Sequence, residues 1–335
     1  MAIRCNNKEY LDYVRRFWKK VYEQVDGCME KDGGPVIGIQ IENEYGHVGG
    51  LQGPEGEAHI RTLTAIAKEI GFDVPLYTAT GWGGACIGDL LPVMGGYCEA
   101  PWDQRTCEIE PNANFVFSHT RNDALIACDH HVENANSYNE EDFPFLTAEL
   151  GGGLQVTMHR RPVAKGCDVG AMSTVKMGSG AGLLGYYMYH GGSNPKGKLS
   201  TLQESRATGY LNDLPEINYD FNAPIRQYGT ISDSYREIKL LALFLNDFGE
   251  DMASLRSEIP TIRILPGDMH TVRTACRHDA DHGYVFFNNY QRRWKMDDHP
   301  QVKLEGLLDG KASVGFPAFD LKGGCLLYTS DAADE

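Results

Sequence analysis

The chain has 335 residues, of which 42% are hydrophobic and 23% charged, and a formal net charge of −15. That length holds one large domain or two moderate ones, and the acidic balance argues against nucleic acid or an anionic membrane surface as partner while suiting a neutral substrate such as a sugar. No apolar run approaches the roughly 20 residues of a membrane span, and the opening MAIRCNNKEY carries no secretory h-region.

In chain order, Asn6 or Asn7 can cap a helix whose Tyr10, Val14, Phe17, Trp18, Val21 and Val25 follow helical spacing, with Gly27 ending it. The stretch Gly33–Gly46, GGPVIGIQIENEYG, comes next. Its run Val36, Ile37, Ile39 and Ile41 is short and β-branched, which predicts a strand buried on both faces. Glu42, Asn43 and Glu44 stand where that run stops. Gly56–Ile70 reads as a helix with Gly71 as its stop, and Val74–Ala79 as a strand leading to Trp82. A weaker strand, Pro92–Tyr97, ends near Glu99 and Trp102. After a polar stretch, Asp103–Asp142, the strand Phe143–Glu149 ends in a carboxylate followed by Leu150 and three glycines.

A helical segment near Asp168–Met177 leads into the strand Leu183–Tyr189, which ends at His190. Ser234-x-x-Glu237 reads as a capping box opening a helix through Leu245, with Gly249 as its stop. Past Asp251 the texture becomes alternating, with Thr271–Arg277 and Gly283–Tyr290 as hairpin arms and strand-like pieces over Val302–Phe319. Helices alternating with five short apolar strands predict an α/β fold with a parallel sheet, followed by the start of an all-β domain.

The nine cysteines form no C-x-x-C pair and no Cys/His spacing of a metal motif, so they read as reduced thiols. Cys128-Asp129-His130-His131 is the cluster that invites a metal, but adjacent residues rarely converge on one ion. Neither metal nor cofactor is expected.

Glu44 and Glu149 each end a predicted buried strand. A carboxylate so placed must be paired, hydrogen-bonded or functional. Two carboxyl groups facing one cleft are what glycoside hydrolysis requires, one giving a proton to the leaving oxygen and the other attacking the anomeric carbon. The bland reading is a pair of glutamates salt-bridged to arginines.

Gly33–Gly46 closely resembles the active-site signature of glycoside hydrolase family 35, the β-galactosidases. The resemblance continues in order through PFLTAEL (Pro144–Leu150), YYMYHGGSN (Tyr186–Asn194) and NYDFNAPI (Asn218–Ile225), covering roughly residues 1–250. It implies a partial (β/α)8 barrel, about the fourth to eighth strands, with residues 251–324 opening a β-rich domain. Three βα units are then expected before Met1, since a closed barrel needs eight strands. Residues 325–335 resemble a translated sequencing-library adapter and are expected to be a foreign tail.

Carried over by resemblance, Glu44 is the general acid/base and Glu149 the nucleophile of a retaining exo-β-galactosidase. Asn43 matches the asparagine that binds sugar beside the anomeric centre, and Tyr187 and Tyr219 match tyrosines lining the galactose pocket. Glu42, placed by strand alternation one pleat before Glu44 on the same face, is read as a sugar contact or as a neighbour tuning the protonation of Glu44. Trp82 and Trp102 are sugar-stacking or packing candidates, and His190 a hydrogen-bonded rim residue. Leu150–Gly153 stands where many members have an aromatic residue, and Phe221 where a pocket tyrosine is common, which bears on the exact sugar. A β-glycosidase for another sugar, such as an exo-β-glucosaminidase, and a non-catalytic carbohydrate-binding barrel are the alternatives. The expected partner is a β-galactoside glycan. Oligomeric state and compartment stay open.

Overall fold

The structure is a computed structural model that describes every residue except 47–48, 80–89, 122, 124–125, 127–137, 200–201, 309–311 and 332–335. Two compact units divide the chain, one of residues 1–95 and 130–149, the other of residues 96–129 and 150–335.

In the first unit, helix α1 (Lys8–Val25) starts where Asn7 Oδ1 accepts the Tyr10 amide at 3.1 Å, satisfying one of the donors that a helix start leaves without a carbonyl. Asn6 instead turns its Oδ1 to the buried ring of His59, 2.9 Å from Nδ1. Strand β1 (Ile39–Asn43) and helix α2 (Gly53–Ile70) follow. Gly71 closes α2 at φ 118°, its amide reaching back to the carbonyls of Ala67 and Lys68. The apolar stripes of α1 and α2 meet β1 in one core, where Val14, Ile41, Ile60, Leu63 and Ala67 pack with Met29, Tyr45, Phe72 and Leu76.

Strand β2 (Leu76–Ala79) pairs parallel with β1, Ile39 opposite Leu76 and Asn43 opposite Ala79, and β3 (Leu91–Gly96) pairs parallel with β2. Strand β4 (Leu146–Leu150), helix α3 (Gly166–Gly178) and strand β5 (Leu183–Tyr186) come next. The sheet order is β1-β2-β3-β4-β5, so five strands lie beside their sequence neighbours. The predicted α/β class, strand count and helix positions agree with this.

Two features of the Gly33–Gly46 reading change. Pairing with β2 begins only at Ile39, so Ile37 lies in the approach to the sheet and is 65% exposed, and Gln40 is exposed within it. The run is therefore not buried on both faces. The strand also ends at Asn43, because Glu44 takes φ 47° in the left-handed region. Alternation stops there, and Glu44 is not one pleat beyond Glu42.

The second unit continues with a short antiparallel pair, β6 (Gly192–Ser193) and β7 (Asn218–Tyr219), and then α4 (Asp233–Ala253). Ser232 occupies the entry position of α4, held by its amide on the Pro224 carbonyl, so Ser234 lies inside the first turn rather than capping it. Gly249 does not stop the helix, which runs on to bring Met252 into the core.

Strands β8 (Arg256–Glu258), β9 (Thr274–His278), β10 (Gly283–Asn288), β11 (His299–Val302), β12 (Glu305–Leu308), β13 (Ala312–Gly315), β14 (Phe319–Leu321) and β15 (Leu326–Asp331) complete the chain. Four of them form an antiparallel sheet in the order β15-β10-β9-β8, and β9 and β10 are the two arms of the expected hairpin. One face of this sheet packs on α3 and α4 through Val175, Met177, Leu241, Ala275 and Phe286, and on the other Val285 and Phe287 pack with Leu321 of β14. Strand β15 pairs with β10 from Leu326 opposite Asn288 to Asp331 opposite Gly283. Backbone pairing needs no particular side chain, so this strand and the expectation of a foreign tail are independent of each other.

Candidate active site

In the first unit, the ends of β1 and β4 carry the carboxylates. Glu149, the penultimate residue of β4, is only 9% exposed. Burial, and then the negative charge of Glu44, push its pKa up to about 8. Each effect disfavours the ionised form, the first by removing water and the second by like-charge repulsion. Glu44 thus acts electrostatically on Glu149 although the two are far apart in sequence.

The turn that presents Glu44 is fixed by its neighbours. Tyr45 is fully buried and donates its hydroxyl to the Arg4 carbonyl at 2.9 Å, with the Arg4 guanidinium over its ring. Gly46 closes the turn through its amide on the Gly49 carbonyl, and Gln52 Nε2 donates to the Gly46 carbonyl.

Glu42 has a definite partner. Arg4 reaches it at 3.1 Å and donates to the Asn43 carbonyl at 2.7 Å, while the Asn43 amide donates to Glu42 Oε1. Glu42 is therefore engaged in an ion pair that braces the strand end. The Asn43 side chain is exposed and its Oδ1 accepts from Gln40 Nε2 at 2.9 Å. Arg4 had no motif to mark it in the sequence, since its role depends on a chain reversal of α1 against β1.

In the second unit the expected pocket tyrosines come together. The hydroxyls of Tyr187 and Tyr219 are 2.6 Å apart, and both rings pack on Phe221, at centroid distances of 5.4 and 5.6 Å. Tyr97 also meets Phe221, at 6.3 Å, and stands edge-on to Trp102 at 4.8 Å. Phe221 is thus the hub of the aromatic group, and Tyr97 a member that sequence reading passed over. Tyr97 is held at both backbone ends, its amide donating to Asp123 and its carbonyl accepting from Asn112 and Asn114.

The glycine run after Glu149 explains itself here. A Cβ on Gly151 would strike the Tyr97 ring, on Gly152 the Met188 carbonyl, and on Gly153 the Phe221 and Asn222 carbonyls. The backbone must pass against the aromatic hub where a side chain has no room. His190 is exposed, with Nδ1 facing the Gly191 carbonyl of its own neighbour. Trp82 and the Cys128–His131 cluster lie outside the described residues.

Another buried carboxylate, Glu99, just after β3, was not singled out as a site by sequence reading. It faces Arg160, Arg292 and Arg293 at 3.1, 3.0 and 2.9 Å. Arg292 also pairs with the buried Asp168. Three guanidiniums neutralise Glu99, so it is a structural anchor of the second unit.

Comparison with known proteins adds the following. The family model described as Glycosyl hydrolases family 35 matches residues 1–244. The chain is similar to Beta-galactosidase 17 of Arabidopsis thaliana, 26% identical over 242 residues that make up 70% of this chain and 30% of that protein. It is similar to Beta-galactosidase 6 of Oryza sativa subsp. japonica, 27% identical over 236 residues, 69% of this chain and 22% of that protein. Beta-galactosidase 8 of the same rice is 24% identical over 237 residues, 70% of this chain and 31% of that protein. The chain spans less than a third of the length of these curated relatives.

Proposed function

The chain belongs to the glycosyl hydrolases of family 35, and from that premise we propose that it carries the catalytic carboxylates of a retaining exo-β-galactosidase. Glu44 protonates the glycosidic oxygen and Glu149 attacks the anomeric carbon, forming a galactosyl-enzyme. Water activated by Glu44 then releases galactose with retained configuration. Asn43 holds the sugar hydroxyl beside the reacting carbon, and Tyr187, Tyr219 and Trp102 contribute to the galactose subsite. The single observation that carries this reading is the buried Glu149 under the influence of the Glu44 charge.

Double displacement needs one proton on the pair, located on the acid. Burial favours the proton on Glu149, whereas the assigned roles need it on Glu44. We resolve this through the substrate, whose 2-hydroxyl donates to the Glu149 carboxylate and stabilises its charged form as sugar displaces water. Glu42 and Arg4 act as a brace that keeps Asn43 and Glu44 in place. In the same proposal, residues 1–250 belong to the (β/α)8 barrel and 251–324 to a following β-rich domain.

Azide rescue tests the roles. With an aryl β-galactoside, Glu149→Gly in azide should give the α-galactosyl azide, and Glu44→Ala the β-galactosyl azide. Unchanged turnover in Glu149→Gly would remove Glu149 from the mechanism. Faster hydrolysis of the aryl β-glucosaminide than of the galactoside would replace the sugar.

A further inference from the structure

We propose that Glu258, Cys276 and His278 form a binding site for a divalent transition metal of the zinc class on the outer face of the β8–β9 pair. The strand register assembles it. Glu258 stands directly opposite Cys276, and His278 lies two residues further along β9, on the same face. Ala275 and Arg277, the alternate residues of β9, point to the α3 side, Arg277 donating to the Ala181 carbonyl. The three side chains thus share one surface although Glu258 and Cys276 belong to different strands.

Their donor atoms all lie within 4.8 Å of one another. Tetrahedral zinc with one sulfur, one nitrogen and one oxygen ligand needs separations of about 3.3–3.8 Å, from bond lengths of roughly 2.0–2.3 Å. The exposed Glu258 side chain has the freedom to close that difference. A carboxylate, an imidazole and a thiolate are a zinc-type donor set, and three protein ligands leave a fourth position for solvent.

The histidine is held in place by two acceptors. His278 Nδ1 faces the Asp279 carbonyl at 3.0 Å, and Nε2 points at Glu258 Oε2 at 2.8 Å. Both partners are acceptors and favour the doubly protonated ring, so a metal must displace the Nε2 proton, while the Asp279 carbonyl stays on Nδ1–H as the support that metal-bound histidines characteristically have. The same geometry excludes a cysteine nucleophile activated by this histidine, because both ring nitrogens are engaged with other groups.

Burial and then the Glu258 charge push the Cys276 thiol up to about 11, so it is protonated without metal. A bound cation reverses that preference. Binding forms the S–metal bond as the S–H proton leaves to solvent and the Nε2–metal bond as the Nε2–H proton leaves, with no change of oxidation state.

The test is titration of the reduced full chain with Co²⁺, then competition with Zn²⁺. A thiolate-to-cobalt charge-transfer band at one equivalent, displaced by zinc, is expected. Cys276→Ser should abolish the band, and Glu258→Gln, on an exposed side chain, should weaken binding by about tenfold or more. Zinc should also slow alkylation of Cys276, followed by peptide mass mapping. A folded chain without the band, a band that survives Cys276→Ser, or unchanged cobalt affinity in Glu258→Gln would reduce the cluster to a Glu258–His278 ion pair beside a thiol and overturn the proposal.

Discussion

Gly153→Ala puts the packing beneath the aromatic hub to the test. The added Cβ would lie 2.2 Å from the Phe221 carbonyl oxygen and 2.3 Å from that of Asn222. Ordinary carbon–oxygen contacts are about 3.3 Å, so the backbone must open by roughly 1 Å. Neither obstacle is the end of a flexible side chain. Both residues sit at positive φ, 58° and 50°, and Asn222 Nδ2 is tied to the Leu154 carbonyl at 3.1 Å, so the segment has little freedom to yield. Overpacking costs about 1–3 kcal/mol, and rigid backbone on two sides places this change near 3 kcal/mol. With a urea slope of about 2–3 kcal/mol/M, the midpoint should fall by about 1 M or more. Near-UV circular dichroism of the tyrosines follows the hub itself, which matters because two compact units need not unfold together. Gly192→Ala is the internal control, since its Cβ meets nothing within 4 Å, and stability there should hold or rise by about 0.4–1 kcal/mol. Equal midpoints for the two variants would refute the close approach.

Two further outcomes are expected. Glu99→Gln leaves Arg160 and Arg292, whose side chains are 8% and 9% exposed, facing a neutral amide. Stability measured by urea should drop by about 3–5 kcal/mol, whereas Arg293→Gln, on a partly exposed side chain, should change little. Glu149 gives a pH dependence of opposite sign to the usual carboxylate. Its folded pKa is near 8, while the unfolded chain releases this proton near about pH 4.3. Between those values the folded state binds more protons, so its stability falls as pH rises through that window. Denaturation at about pH 5 and pH 8 should show a smaller difference in Glu149→Gln than in the parent chain; an equal difference would place Glu149 in water.

The sequence was most readable where chemistry is local. Asn7 before the α1 stripe and Gly71 after α2 determine elements through bonding within a few residues and stand where periodicity placed them, while the strand expected over Phe143–Glu149 pairs over Leu146–Leu150. Reading failed where local signals competed. Ser232 and Ser234 both suit a helix entry, and only the Pro224 carbonyl, brought in from outside the helix, selects Ser232. Gly249 has the composition of a stop, yet the burial of Met252 carries α4 past it.

The chain by itself determined the order of helices and strands, the glutamates at the ends of β1 and β4, and the motifs that mark the family. Tertiary structure decided what each polar group faces. Arg4 on Glu42, three arginines on Glu99, Phe221 as hub, and Glu258 opposite Cys276 all join residues separated by long stretches of chain. The physical reason is range. Capping, turns and periodicity act over a few residues, whereas burial, ion pairing and electrostatic coupling depend on distance through space, which exists only once the sheets and helices have packed.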